Sequence, residues 1–386
     1  MKAFKEYGIA SIFQEYEEGV DQEKPDDSAD ELDIVTIEDE GVSLPFHLRC
    51  VSHTLSLIST KDASKVTESK YKRTSHSTFG KCSALWNASR RPKSGEKVVE
   101  KLGRQLSVPC VTRWNSMYES VSVLLEKQDS LNVLMLELKL PLFDQTDFSF
   151  LSEYVKVMRP IADALNKLQG EHQVHFGSVL PTLLAVQSKL KSLEEEKLHV
   201  CKPLLIQTLK GLKSRFGNLL NLELDPICKM AVVASTSNPK FRLRWLTINP
   251  DFNNPETKDK VIEVFREAMK TVAPENLEQR EEQITNEDDS FFEFQTSKIN
   301  EPKETLPQDV EMLRYLSDTS TELNSLHKYP TVKEVFIRLN TPLPSSAPVE
   351  RLFSLAGNVY APKRNRLSDA MFQYLVLMKA NKGLAK

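Results

Sequence analysis

Few residues of this sequence have the type and spacing to do chemistry. Glu350 stands in Ser345-Ser346-Ala347-Pro348-Val349-Glu350-Arg351-Leu352-Phe353-Ser354. One carboxylate cannot assemble a pair of divalent metal ions, and an acid in the first turn of a helix is stabilised there by the positive end of the helix dipole. Cys50 and His53, with His47 just before them, have the i, i+3 spacing of two or three zinc ligands. No second Cys/His pair follows at zinc-finger spacing, so the metal-ligand expectation is none and His53 reads as a hydrogen-bonded helix residue. From Lys61 to Arg104 basic residues dominate, among them Lys72, Arg73, Arg90 and Arg91, interleaved with Tyr71, Phe79 and Trp86. This is the one nucleic-acid face the sequence offers, and contact through it would be non-specific and weakened by salt. A solvated, partly disordered loop fits the same residues equally well.

The elements that must position these residues are helices. Leu151, Tyr154, Val155, Met158, Ile161, Ala162, Leu165 and Leu168 recur at steps of three and four, the stripe of an amphipathic helix that Pro160 should bend. A further helix is predicted over 178–196 with Ser178 as its cap, and another from about Pro203 with Leu205, Leu209, Leu212, Phe216 and Leu219 on one face. Near the C-terminus, Ser345 to Asn358 reads as a helix capped by serines, with Pro in its first turn and Gly-Asn at its end. A second begins at Ser368 or Asp369 and carries Met371, Phe372, Tyr374, Leu375, Val376, Leu377 and Met378. It is apolar on nearly every face, so it is either the centre of a domain or covered by another chain. Trp114 fits the core side of an amphipathic helix with Tyr118, Val121 and Leu125.

The chain of 386 residues, 40% hydrophobic, has a net charge of −3 unevenly spread. Residues 15–40 and 274–307 are acidic and poor in periodic apolar positions, so the first reads as a solvated loop and the second as a flexible connector. Five scattered cysteines, never spaced Cys-x-x-Cys, predict reduced thiols. No apolar run is long enough to span a membrane and no secretory signal opens the chain, which points to the cytosol or nucleus.

Tyr329-Pro330-Thr331-Val332-Lys333, then Thr341-Pro342-Leu343-Pro344 running into Ser345 to Ser354, then Lys363-Arg364-Asn365-Arg366-Leu367-Ser368, closely resembles the C-terminal dimerisation region of hAT-superfamily transposases. Upstream, Leu48 to Leu57 resembles the family's Cys-x-x-His helix start through Cys50 and His53, and Val111 to Tyr118 its Arg-Trp motif through Arg113 and Trp114. Pro239 to Trp245 resembles a weaker family segment, and Lys2 to Gly8 the helix that follows the family's second catalytic Asp. The resemblance implies a mainly α fold: a helical bundle like the hAT insertion, a truncated and vestigial RNase H-like portion, and a C-terminal helical dimerisation region. Its parts would be an RNase H-like remnant with the acidic loop at 1–60, the insertion at 61–273, an acidic linker at 274–307 and the dimerisation region at 308–384. A stub of strand is expected over 33–37.

Transposases of this kind cleave and join DNA with metal ions held by two Asp and a Glu. The resemblance starts this chain after both Asp positions and leaves Glu350 as a relic, so no catalytic residue, metal or cofactor is expected. It assigns Trp114 to stacking on a flipped base and Arg113 to a nearby phosphate, stacking being worth ~1–3 kcal/mol per base. Cys50, His53 and Arg351 are family-motif positions, and Leu352, Phe353, Leu355, Met371, Phe372, Leu375, Val376 and Met378 would form the dimer contact. The function implied is a non-enzymatic, transposon-derived protein, nuclear by analogy, that pairs with itself or with related hAT proteins. Weak DNA binding through Arg113, Trp114, Lys72, Arg73, Arg90 and Arg91 would accompany it, with no membrane and no small-molecule substrate. Two alternatives stay open: a truncated gene model of an active hAT transposase, and a non-specific nucleic-acid-binding regulator.

Overall fold

The computed structural model describes residues 49–110, 115–170, 174–272, 307–360 and 367–381, with the backbone of two short strands before them. The strands, β1 (Glu38–Asp39) and β2 (Val42–Ser43), form one antiparallel pair. Everything else with regular structure is helical, as expected. In chain order these helices are α1 (Val51–Leu57), α2 (Ser69–Ser89), α3 (Pro92–Leu102), α4 (Ser116–Glu126), α5 (Gln128–Glu137), α6 (Gln145–Leu168), α7 (Val179–Ser192) and α8 (Lys202–Leu220). They continue as α9 (Pro226–Ser237), α10 (Pro255–Lys270), α11 (Pro307–Ser317), α12 (Pro330–Asn340), α13 (Ala347–Val359) and α14 (Asp369–Ala380). No helix among the described residues is long and apolar enough to cross a membrane.

The chain packs as two compact units. The first takes the described residues up to Val174, then Thr182–Leu220 and those from Pro344 onward; the second takes His175–Pro181 and Asn221–Leu343. The boundaries expected at 61, 274 and 308 do not follow this division. The stretch 308–384, read from the sequence as one region, contributes α11 and α12 to the second unit and α13 and α14 to the first. The linker expected at 274–307 lies outside the described residues except for Pro307, which opens α11. The strand stub expected over 33–37 also lies outside them, as does all of the RNase H-like remnant before residue 49 apart from the backbone of β1 and β2.

The first unit is built on α6. Asp144 and Asp147 close its N-terminus with a reciprocal capping box. Leu151, Tyr154, Met158, Ile161, Leu165 and Leu168 are buried along it, Val155 is half-buried, and the helix runs through Pro160 as one element. Phe79 meets the rings of Phe150 and Tyr154 edge-on at 5.2 Å, and Asp147, itself buried, accepts from Thr78 Oγ1 at 2.6 Å and pairs with Lys81. A charge removed from water this way is tolerable because both carboxylate oxygens are engaged. Glu153 does the same for α8, accepting from the backbone N–H groups of His199, Val200 and Cys201, each at 2.8 Å, just before the helix begins. After α1 a π-helical turn, Ile58–Asp62, brings buried Asp62 to Arg215, which donates through Nε at 2.7 Å and Nη2 at 3.2 Å. A Cβ on Gly211 would stand 2.8 Å from the Asp62 carboxylate, so this approach requires glycine.

The basic segment 61–104 is largely helical, α2 and α3, and not a loop. Tyr71, Ser75, Thr78, Phe79, Cys82, Leu85 and Trp86 are buried at helical spacing beneath its charges. That inward stripe, and not an interleaving for bases, explains the three aromatic residues.

In the second unit α10 packs on α9 and α11, and α12 on α9 and α11, around Trp245, Phe265, Tyr315, Val332 and Val335, none more than 1% exposed. Asp225 and Asn254 cap α9 and α10, each followed by proline in the first turn. Arg242 is buried here with a left-handed φ of 47°. Its guanidinium lies 4.8 Å from the centre of the Tyr315 ring, donates to the carbonyls of Pro239 and Ser320, and faces Asp318 at 3.9 Å. Asp318, held below the usual carboxylate range chiefly by the Ser320 N–H, also accepts from Tyr329 Oη at 3.0 Å. Gly177 donates its N–H to Asn340 Oδ1 at 2.8 Å, and a Cβ there would come within 2.3 Å of the Ala234 carbonyl oxygen.

Candidate functional site

The residues expected to dimerise lie on α13 and α14 at the end of the first unit. The entry to α13 is fixed against α1. Val51 donates its N–H to the Pro344 carbonyl at 3.0 Å, and the Cys50 sulfur accepts from the backbone N–H groups of Ser346 at 3.2 Å and His53 at 3.3 Å. Cys50 thus caps α1 and seats α13. Among the described residues no group of three or more His, Cys, Asp or Glu is placed to hold a metal ion. All five cysteines are free thiols, as expected.

The serines divide the capping differently from the sequence expectation. Ser345 Oγ accepts from Ala347 N at 3.1 Å, while Ser346, at the N-cap position, makes no side-chain cap. Ser346 Oγ lies 2.6 Å from Glu350 Oε1 and 3.3 Å from Cys50 Sγ. A hydroxyl has one proton, and a carboxylate at 2.6 Å is the stronger acceptor, so the thiol S–H is left to donate to Ser346 Oγ. Glu350 is therefore a first-turn acid tied to its own cap position. Arg351 donates to the Gln169 carbonyl at 3.3 Å.

Ser368 caps α14, accepting from Met371 N at 3.4 Å, and α14 packs on α13, with the Tyr360 and Phe372 rings edge to face at 5.9 Å. Leu355, Phe372, Leu375 and Val376 are half-buried. Leu352, Phe353, Met371 and Met378 are exposed, Phe353 to 70% and Met378 to 73%. Four exposed apolar residues stood outside the expected dimer contact: Val349 and Tyr360, and also Tyr374 and Leu377, which the sequence places on the apolar helix. The spacing could have found three of them, since 349, 352 and 353 share one face of α13, and 371, 374, 377 and 378 one face of α14, whereas Tyr360 follows the end of α13. No residue of α14 is buried. Beyond the cover the two helices give each other, these exposed apolar side chains stay uncovered among the described residues.

Of the nucleic-acid candidates, Lys72 and Arg73 are exposed on α2 and Arg90 and Arg91 at the turn into α3. Arg113 and Trp114 lie outside the described residues, whereas Val121, which was to share a side with Trp114, is buried on α4.

Residues 289–381, about a quarter of the chain, match the hAT family C-terminal dimerisation region. No curated protein matches the chain. The match covers α11 to α14 and so includes both exposed apolar faces. The C-terminal part of the chain is thus similar to the hAT dimerisation region, and that likeness supports a capacity to dimerise.

Proposed function

We propose that this protein acts without catalysis, as a pairing module: a second copy, or a related hAT protein, covers the apolar faces of α13 and α14. The observation that carries this reading is the exposure of Val349, Leu352, Phe353, Tyr360, Met371, Tyr374, Leu377 and Met378 within the matched dimerisation region. Burying side chains of this kind is worth about 1.5–3 kcal/mol each before the cost of association, so a few well-packed ones suffice for a stable pair. Glu350, held by Ser346, serves as a helix-start residue in this reading, and the site of action is the nucleus.

Light scattering on the full chain tests it. Wild type is expected to run as a dimer, and the variant Leu377→Asp/Met378→Asp as a folded monomer. Because both side chains are exposed on the outer face of α14, circular dichroism of the variant should match wild type. A wild-type monomer at tens of micromolar, in the range of weak specific association, would refute the proposal. Glu350→Gln should leave the dimer mass unchanged.

A further inference from the structure

A positive surface of the first unit lies where α2 turns into α3, with Glu96 and Glu100 the exposed acids beside it. Arg90, Arg91, Lys93 and Lys97 are exposed there, and none forms an ion pair among the described residues. Their neighbours differ: Lys81 is committed to Asp147 and Lys101 to Glu137 at 2.8 Å. Lys70, Lys72 and Arg73 are exposed at the other end of α2, about 30 Å away at 1.5 Å per residue. Residues 61–104 hold twelve basic and four acidic side chains. Tyr71, Phe79 and Trp86 are buried, so the described part of this face offers charge without a stacking platform for bases. Such a surface suits a polyanion held by charge alone.

The chain contains one. Residues 21–40 carry ten acidic side chains and one basic, Lys24. We propose that this segment docks in cis on the basic face of α2 and α3, neutralising it and occupying it against nucleic acid. Residues 41–48 join the segment to Arg49, where the described part of the first unit begins. A tether of this length holds its end at an effective concentration on the order of millimolar, enough for a contact made only of screened charges. The other acidic stretch, 275–304, is the poorer occupant: it spreads ten acids and three basic residues over a longer run and belongs to the second unit's part of the chain.

Zero-length carbodiimide cross-linking of the full wild-type chain, followed by peptide mapping, tests the contact without any variant. Carboxylates of 21–40 should join Lys93 and Lys97 several-fold more often than Lys258 and Lys270, exposed lysines of α10, and the enrichment should vanish in 1 M salt, where the screening length falls to about 3 Å. Equal frequencies overturn the proposal. So do links found mainly between light and heavy chains in an isotope mixture, which would place the segment on another copy. A second arm uses a short DNA duplex as probe and a full-length variant, Asp21→Asn, Glu23→Gln, Asp26→Asn, Asp27→Asn, Asp30→Asn, Glu31→Gln. The variant should bind the duplex about tenfold more tightly than wild type, as expected when a tethered competitor is removed. Equal affinity would overturn the masking claim and leave the face open to nucleic acid. Neither arm depends on whether α13 and α14 dimerise, which light scattering reads separately.

Discussion

Helices α12 and α14 are of nearly equal length, both lie in the matched C-terminal region, and both are rich in apolar residues, yet one is closed and the other open. In α12 the apolar residues Val332, Val335 and Phe336 share a face that is buried, while Glu334 and Arg338 face outward and pair at 3.2 Å. One neighbouring layer is enough for such a helix. In α14 the run Met371-Phe372, Tyr374-Leu375-Val376-Leu377-Met378 surrounds the axis, and α13 half-covers only Phe372, Leu375 and Val376. A helix apolar all round needs two layers, and the described residues supply one. The contrast separates positions that hold a fold together from positions that, on the proposed pairing, a second chain would cover.

The sharpest way to break that contrast is to truncate one aromatic residue on each side. Phe265→Ala removes a fully buried ring that lies 6.1 Å from Tyr315 and should lower the unfolding free energy by about 3–5 kcal/mol in a denaturant titration. Arg242→Ala belongs to the same class. It removes a buried guanidinium that donates to the Pro239 and Ser320 carbonyls and covers the Tyr315 ring, and it should lower the unfolding midpoint in the same titration. Phe353→Ala, on a ring 70% exposed, should leave the stability of the monomer within about 0.5 kcal/mol. If Phe353 anchors the pair, the same change weakens self-association by about 2 kcal/mol, roughly thirtyfold in sedimentation equilibrium. A large stability loss with unchanged association would place Phe353 with the core residues and dissolve the distinction.

A smaller effect concerns acid. Burial holds His175 below its ordinary value; its ring lies edge-on to Phe336 at 5.2 Å and its Nε2 is buried without a hydrogen-bond partner. The neutral form is the one the fold accepts. As pH falls through about 6.5 the unfolded chain takes up the proton first, so the stabilisation present above that pH is lost below it. The unfolding midpoint of the second unit should drop as pH falls below about 6.5, and His175→Gln should shrink that drop. An identical pH profile in the variant would show that the ring titrates freely.

Much of the helical frame was legible in the sequence because its signals are local. The stripe from Leu151 to Leu168 gave α6 its buried face, and Ser368 with Asp369 marked the start of α14 to the residue. Local signals fail where a partner far along the chain decides the outcome. Asp147 is buried because Thr78 and Lys81 meet it, and Ser346 serves Cys50 and Glu350 in place of capping its helix. The basic segment misled for a related reason: charge dominated its composition and hid the inward stripe from Tyr71 to Trp86. Of the eight large apolar side chains exposed on or next to α13 and α14, four stand in the dimer contact expected from the sequence. Which of two apolar neighbours on one helix turns toward α13 and which toward solvent is set by the crossing of the two helices, and no local pattern encodes that.

The way α14 is held also makes its integrity a matter of how much protein there is. On the proposed pairing, a helix whose one strong neighbour among the described residues is α13 would gain its remaining cover by mass action, so its melting midpoint should climb with total concentration while that of the second unit's core stays fixed. In a cell, a chain produced without its partner would keep this end open to proteases, and its abundance would follow the partner's.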